Sequence, residues 1–307
     1  MEEADDDIAE RVQALSDIEL AVLLCLITAQ HCIIETDNEL LHDLDQELRL
    51  VAFKVFGLTW AVLECSETTT VDDFGVGILA KDERDDYFNR RHEQGKSELI
   101  RGKRNYTRTA VHAAPRPFLF IALNESESAR LATHLNDQFF ISHKHEVDDR
   151  FPNLQELQEK EPVSEDDAST SSVVHSPPET FEKRNSSSLV FSQEVQISSE
   201  VRAYLHNIVV FMRLHRAVAG GISAMATRHF NILSRALAPL HDLSYITPSL
   251  VALAARKIYP HRIAIASPEN ERSMQWGSSL DAVKAVLEGV TVEDVIEEVL
   301  QSVEVPL

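Results

Sequence analysis

Apolar residues recur at helical spacing most clearly between positions 197 and 263. Val201, Leu205, Ile208 and Met212 fall on one helical face. Ser198 or Ser199 stands where a hydroxyl can cap that helix, and Glu200 sits in its first turn, where a carboxylate suits the helix dipole. Gly220-Gly221 is expected to end the helix, and Ser223 to cap the next one. There Ala226, Phe230, Leu233 and Leu237 repeat the stripe. Thr247-Pro248 opens a third helix, with proline at its first position. Pro260 closes it ahead of His261-Arg262, a pair expected to be exposed. Three capped amphipathic helices predict an all-α domain.

The first half follows a different rhythm. Ser16-Asp17-Ile18-Glu19 is a capping-box pattern leading into a helix apolar on most sides, and therefore expected to be buried. Residues 31–35 read as a short inner strand, 38–56 as an amphipathic helix, and 59–65 as a second strand. Residues 117–123 (PFLFIAL) predict another buried strand. Strand, helix, strand predicts a parallel α/β unit. Residues 146–195 are rich in Ser, Pro, Glu and Asp and lack the apolar content for a core, so they read as a disordered acidic linker. Ser176-Pro177 within them is a weak signal for proline-directed phosphorylation. The expected division is an acidic tail over 1–15, an α/β domain over 16–145, the linker, and a helical domain over 196–307.

Charge narrows the partners. With 29 basic against 50 acidic residues the chain carries a net charge of −21, which would repel nucleic acid and anionic membranes. Cys25, Cys32 and Cys65 form no CxxC pair, as expected in a reducing compartment. The start MEEADDDIAER is the reverse of a cationic leader, and the strongest apolar run, 20–27, is too short to cross a bilayer. These features predict a soluble cytoplasmic protein whose partner is another protein.

Several motifs in order give a resemblance. They are Ser198-Ser199-Glu200-Val201 with Tyr204, Arg213-Leu214-His215-Arg216, Gly221-Ile222-Ser223, Arg235-Ala236-Leu237-Ala238, Tyr245-Ile246-Thr247-Pro248 and His261-Arg262-Ile263. Together they resemble the helical lid of AAA+ ATPases of the MoxR and magnesium-chelatase group. Residues 289–306 resemble the end of MoxR-type proteins, and the chain is also similar to uncharacterised fungal proteins described as magnesium-chelatase-like. His31-Cys32-Ile33-Ile34-Glu35 resembles the group's first strand, and Phe56-Gly57-Leu58 the approach to its second. The resemblance implies a shortened, degenerate AAA+-like parallel-sheet domain joined to an all-α lid. It also implies ATP and magnesium as cofactors, and metal insertion or client remodelling as the coupled work.

The residues depart from that pattern where the chemistry would lie. A phosphate loop needs glycines that admit backbone N–H groups to phosphate, and a lysine for the β/γ-phosphates. The stretch 36–44 (TDNELLHDL) has neither, and carries Asp37, Glu39 and Asp43 instead. Gly95-Lys96-Ser97 spells the end of such a loop, but Arg90 stands at the earlier glycine position. The charged run 81–108 contains no apolar strand ending in Asp-Glu and reads as a solvated loop. Gln138 replaces the arginine of an L-x-D-R-F segment, and Met225 stands at the lid's sensor arginine, with Arg228 one turn later. Asn124, after a strand, is placed like the group's sensor asparagine. The residual nucleotide positions are thus Glu35, Thr36, Asp37, Asn38, Asn124 and Arg228.

Other chemistry is thin. His143 and His145, with His134 nearby, are too few for a metal centre, and no G-x-S-x-G nucleophile motif occurs. Two readings remain. One is a protein-binding adaptor without catalytic residues, metal or cofactor, which associates with an AAA+ ATPase or with its own copies. The other is a working ATPase of the MoxR or chelatase type that uses ATP and magnesium.

Overall fold

The computed structural model describes residues 15–58, 60–63, 65, 105–107, 111–113, 118–125, 131–146, 149–160 and 195–306. The chain divides into two compact units, one formed by Met1–Thr36, Ile121–His145 and Ser187–Leu307, the other by Asp37–Phe120 and Glu146–Ser186.

The first unit is built on a three-stranded parallel sheet of order β4-β1-β5, with β1 at Cys32–Thr36, β4 at Ile121–Glu125 and β5 at Ile141–Lys144. A strand paired on both edges and covered on both faces must be apolar throughout. Cys32, Ile33 and Ile34 are buried accordingly. Helix α1 (Asp17–Thr28) opens with the expected capping box, in which Ser16 and Glu19 satisfy each other's backbone N–H groups. The strand expected at 117–123 begins at Ile121 and runs to Glu125, because only those residues pair with β1.

The lid helices are α5 (Ser199–Leu214), α6 (Ala224–Leu240) and α7 (Pro248–Ile258), capped by Ser198, Ser223 and Thr247. Both predicted stripes are buried. Helix α7 packs on α6 and on β5, and α1 packs on α6, so sheet and lid share one core. Helices α8 (Leu280–Leu287) and α9 (Val292–Ser302) complete the unit, α9 with a Thr291/Asp294 capping box.

Two expectations for the lid are corrected. Helix α5 stops at Leu214, and Val218–Gly220 then forms β6, which pairs antiparallel with β7 (Ala264–Ile265). Gly221 follows with φ +105, and a Cβ on it would lie 2.0 Å from the carbonyl oxygen of Arg262. The glycine is therefore required by close backbone approach rather than by a helix end. His261 and Arg262, expected to be exposed, are both buried.

In the second unit a short 3-10 turn, Asn38–Leu40, leads into α2 (Leu41–Leu50), whose last residues Val51–Val55 widen into a π turn. The strand expected at 59–65 is not seen among the described residues of that stretch. Its described residues make only a single bridge at Trp60, and that ring is covered instead by the Arg49 guanidinium, 4.8 Å from its centroid. Helix α4 (Pro152–Lys160) lies inside the stretch read as linker. Its amino end is held by fully buried Glu47, which accepts from Asn153 N at 3.1 Å, Asn153 Nδ2 at 2.9 Å and Leu154 N at 2.7 Å. The remainder of that linker, 161–194, lies outside the described residues, as do Gly95-Lys96-Ser97 and most of 81–108. A hairpin of β2 (Asn105–Thr107) and β3 (Val111–Ala113) stands at the end of the latter run.

The crowding at Gly221 gives a direct test. Gly221→Ala should cost about 2–4 kcal/mol, from a disallowed φ plus a backbone clash. Gly220→Ala, whose Cβ would meet nothing within 4 Å, should be close to neutral. Urea unfolding of the two variants beside the parent measures the difference.

Candidate functional site

The cation that organises the site is Arg262, delivered by the turn that ends α7. Its side chain is 1% exposed, and its neighbours explain why a charge tolerates that burial. One terminal nitrogen donates to the Phe139 carbonyl and to His229 Nδ1, the latter at 2.7 Å. The other donates to the Ile258 carbonyl at 3.3 Å. Nε lies 3.6 Å from Asp137 Oδ1. Burial lowers the Arg262 pKa to about 10, against the raising effects of Asp137 and Tyr259.

Asp137 follows α3 (Thr133–Asn136), the short helix ahead of β5. Its carboxylate also accepts from the Ser223 hydroxyl at 2.7 Å, while that same oxygen caps α6 by accepting from Ala226 N at 2.9 Å. Asn136 Nδ2 donates to the His261 carbonyl at 3.2 Å. A hydroxyl, a carboxylate, an amide and a guanidinium thus tie the segment before β5 to both ends of the lid.

Guanidinium nitrogens only donate, so His229 Nδ1 must accept, and its ring is neutral with the proton on Nε2. Burial lowers the His229 pKa to about 4, with further lowering from Arg262 and Arg228. Phe140 meets the His229 ring edge to face at 5.3 Å.

Above this network opens a cleft of about 760 Å³, lined by Thr133, His134 and Asp137, by Arg213, by the run Val218–Ser223, and by Arg262 and Arg272. The one carboxylate among these lining residues is Asp137. Three arginines against it give the cleft a positive balance in a strongly acidic chain.

The nucleotide positions expected from the sequence are placed elsewhere. Glu35 stands in register with Asn124 and Thr36 with Glu125, so the sheet gathers Glu35, Thr36 and Asn124 at the carboxyl ends of neighbouring strands. The Thr36 hydroxyl is fully buried and donates to the His145 carbonyl at 3.2 Å. Asp37 begins the other unit, where it precedes the turn containing Asn38. Arg228 is exposed on α6 and does not line the cleft. Arg213 and Arg262 were visible in the sequence only as letters of lid motifs, and Arg272 carried no signal at all. Their convergence is a tertiary fact.

Two measurements follow from the Arg262 network. Arg262→Met strands Asp137 without its buried countercharge and takes one donor from the Phe139 carbonyl, and should cost about 3–5 kcal/mol in urea unfolding. His229 has a folded pKa near 4, below its unfolded value of about 6.5, so the unfolded chain takes up the proton first. Stability should therefore fall as pH drops from about 6.5 to 4. His229→Gln keeps an acceptor for Arg262 but cannot titrate, and should show a shallower fall than the parent in urea midpoints across that range.

Comparison with known proteins fits this architecture. Residues 210–281, from within α5 to the start of α8, match the AAA lid domain family. No curated protein matches the chain. Among solved structures, a protein of Cytophaga hutchinsonii described as a "putative ATPase" aligns with a TM-score of 0.56 at 16% identity, over 94% of this chain and 89% of that one. At that identity the likeness concerns the fold alone. The chain thus has an AAA+ ATPase-type fold, a parallel α/β sheet followed by an AAA lid domain.

Proposed function

We propose that this protein is a non-catalytic relative of the MoxR and magnesium-chelatase group, acting through protein contacts without turning over ATP. The observation that carries the reading is the exit of β1. Where a phosphate loop would wrap a triphosphate, the chain passes from Thr36 to Asp37 and the turn Asn38–Leu40, with Glu39 and Asp43 following and no glycine or lysine. Carboxylates there repel a polyphosphate and cannot donate to it. The Thr36 hydroxyl is already engaged within the sheet and is buried, so it does not fit the part of a magnesium ligand. ATP and magnesium therefore do not fit the residues at the β1 exit, and no hydrolytic step is assigned to them. Asn124 retains the place of a sensor, while Gln138 and Met225 replace two cations the group uses near nucleotide. Partners in this reading are proteins, an active AAA+ ATPase or further copies of the chain. No helix among the described residues is long and apolar enough to cross a membrane. The acidic balance and unpaired cysteines support a cytoplasmic setting.

The second reading, an ATPase of the same group, is favoured by Asn124 at the carboxyl end of β4. Titration with fluorescent ATP in the presence of magnesium separates the two. No saturable binding is expected up to about 1 mM, a limit of about −4 kcal/mol. Tight, magnesium-dependent binding followed by phosphate release would replace the first reading with the second.

A further inference from the structure

Arg213 and Arg272 are positioned by hydrogen bonds to uncharged acceptors. Arg213 Nε donates to the Ile222 carbonyl at 3.2 Å, and its Nη2 to Thr227 Oγ1 at 3.3 Å. Arg272 Nη2 donates to the Arg213 carbonyl at 2.6 Å. Among the described residues neither guanidinium has a carboxylate within ion-pair distance. Asp137 is engaged by Ser223 and Arg262, and Glu271 faces Ser273 and Arg216 and reaches Arg272 only through its longer-range field. Both side chains line the cleft with most of their donors unspent. Fixing two cations beside each other on uncharged acceptors raises the local positive potential, and an incoming anion relieves it.

The cleft wall between them is main chain. Strands β6 and β7 form a sheet of two, so among the described residues the outer edge of β6 has no strand partner, although its Val218 N–H donates to the His215 carbonyl at 3.1 Å. Ala217 O accepts from Ala266 N on the β7 side at 2.8 Å, and by alternation the Val218 carbonyl is turned to the open side. Val218, Ala219 and Gly220 line the cleft, and a Cβ on Gly220 would meet nothing within 4 Å, so another backbone can approach. Apolar groups stand next to the arginines in the chain. Leu214 follows Arg213 and is 64% exposed, and Trp276 ends the short helix begun by Arg272 and is 88% exposed. Exposed tryptophan beside arginine is the composition that carries binding energy at protein interfaces.

We propose that this cleft docks an extended acidic segment of a partner protein, with its carboxylates on Arg213 and Arg272 and its main chain along the open edge of β6. The inference rests on the protein-contact reading above and gives that reading a surface. The placement argues against a nucleotide here. Ligands of open α/β sheets sit beyond the carboxyl ends of the strands. Asp137 and α3 precede β5, which puts this part of the cleft at its amino end. The two cations are exposed and line the same cleft as β6, an arrangement that suits spaced carboxylates on an extended chain.

The test is fluorescence polarisation of the full chain with a fluorescein-labelled octapeptide alternating glutamate and valine. We expect saturable binding in the micromolar range, weakened by raising salt. The double variant Arg213→Ala/Arg272→Ala should bind about tenfold more weakly or worse. Trp276→Ala, at a position too exposed to support the fold, should also weaken it. Hydrogen exchange should show new protection over 218–222 on peptide binding. No saturation by about 1 mM, equal binding of a lysine–valine peptide, or an unchanged affinity in the double variant overturns the proposal. Displacement of the peptide by pyrophosphate at concentrations below the peptide's own Kd overturns it in favour of a phosphate site. If the peptide fails and ATP also fails to bind, only the surface is lost and the protein-contact reading stands. If ATP binds tightly with magnesium, the reading itself falls.

Discussion

A buried guanidinium sets the terms for the sheet-and-lid unit. Arg262 is removed from water, which would be prohibitive for an isolated charge, so every group near it must serve it. Asp137 supplies the countercharge, Phe139 and Ile258 supply carbonyls, and His229 is held as a neutral acceptor. They come from the segment before β5, from α6 and from α7. The cation therefore fixes where the segment before β5 meets α6 and the end of α7. Satisfying it and docking the lid on the sheet are the same event.

Neighbouring features are consequences of that arrangement. Gly221 must lack a side chain because the Arg262 backbone passes against it. Ser223 caps α6 and holds Asp137 at once, so the carboxylate that neutralises Arg262 is oriented by the helix it helps to place. Once Asp137 is committed, the outer arginines of the cleft have no carboxylate within ion-pair distance among the described residues, Glu271 acting on Arg272 only at longer range. The unbalanced charge on the surface follows from the balance struck beneath it.

The opposite ends of the strands differ in character. At their carboxyl ends Glu35, Thr36, Asn124, Glu125 and Lys144 stand in register, and the Thr36 hydroxyl is engaged within the sheet. At the amino end of β5 lie cations, an open strand edge and a cleft.

Sequence periodicity determined the local structure well, because capping and amphipathicity are local physics. Ser16, Ser198, Ser223 and Thr247 cap as their positions require, and the stripes from Val201 and Ala226 are buried. The α/β class and the all-α lid were likewise legible along the chain. What tertiary structure alone decided was the fate of groups whose partners are far away in sequence. His261-Arg262 follows a helix-ending proline and reads as exposed, yet partners more than a hundred residues away bury it. Trp60 lies in a β-like run but finds a guanidinium where a neighbouring strand was expected. Helix α4 looks too polar to fold until Glu47 meets its amino end. A polar or charged side chain is stable inside or outside depending on what it meets, and only the folded chain supplies the meeting.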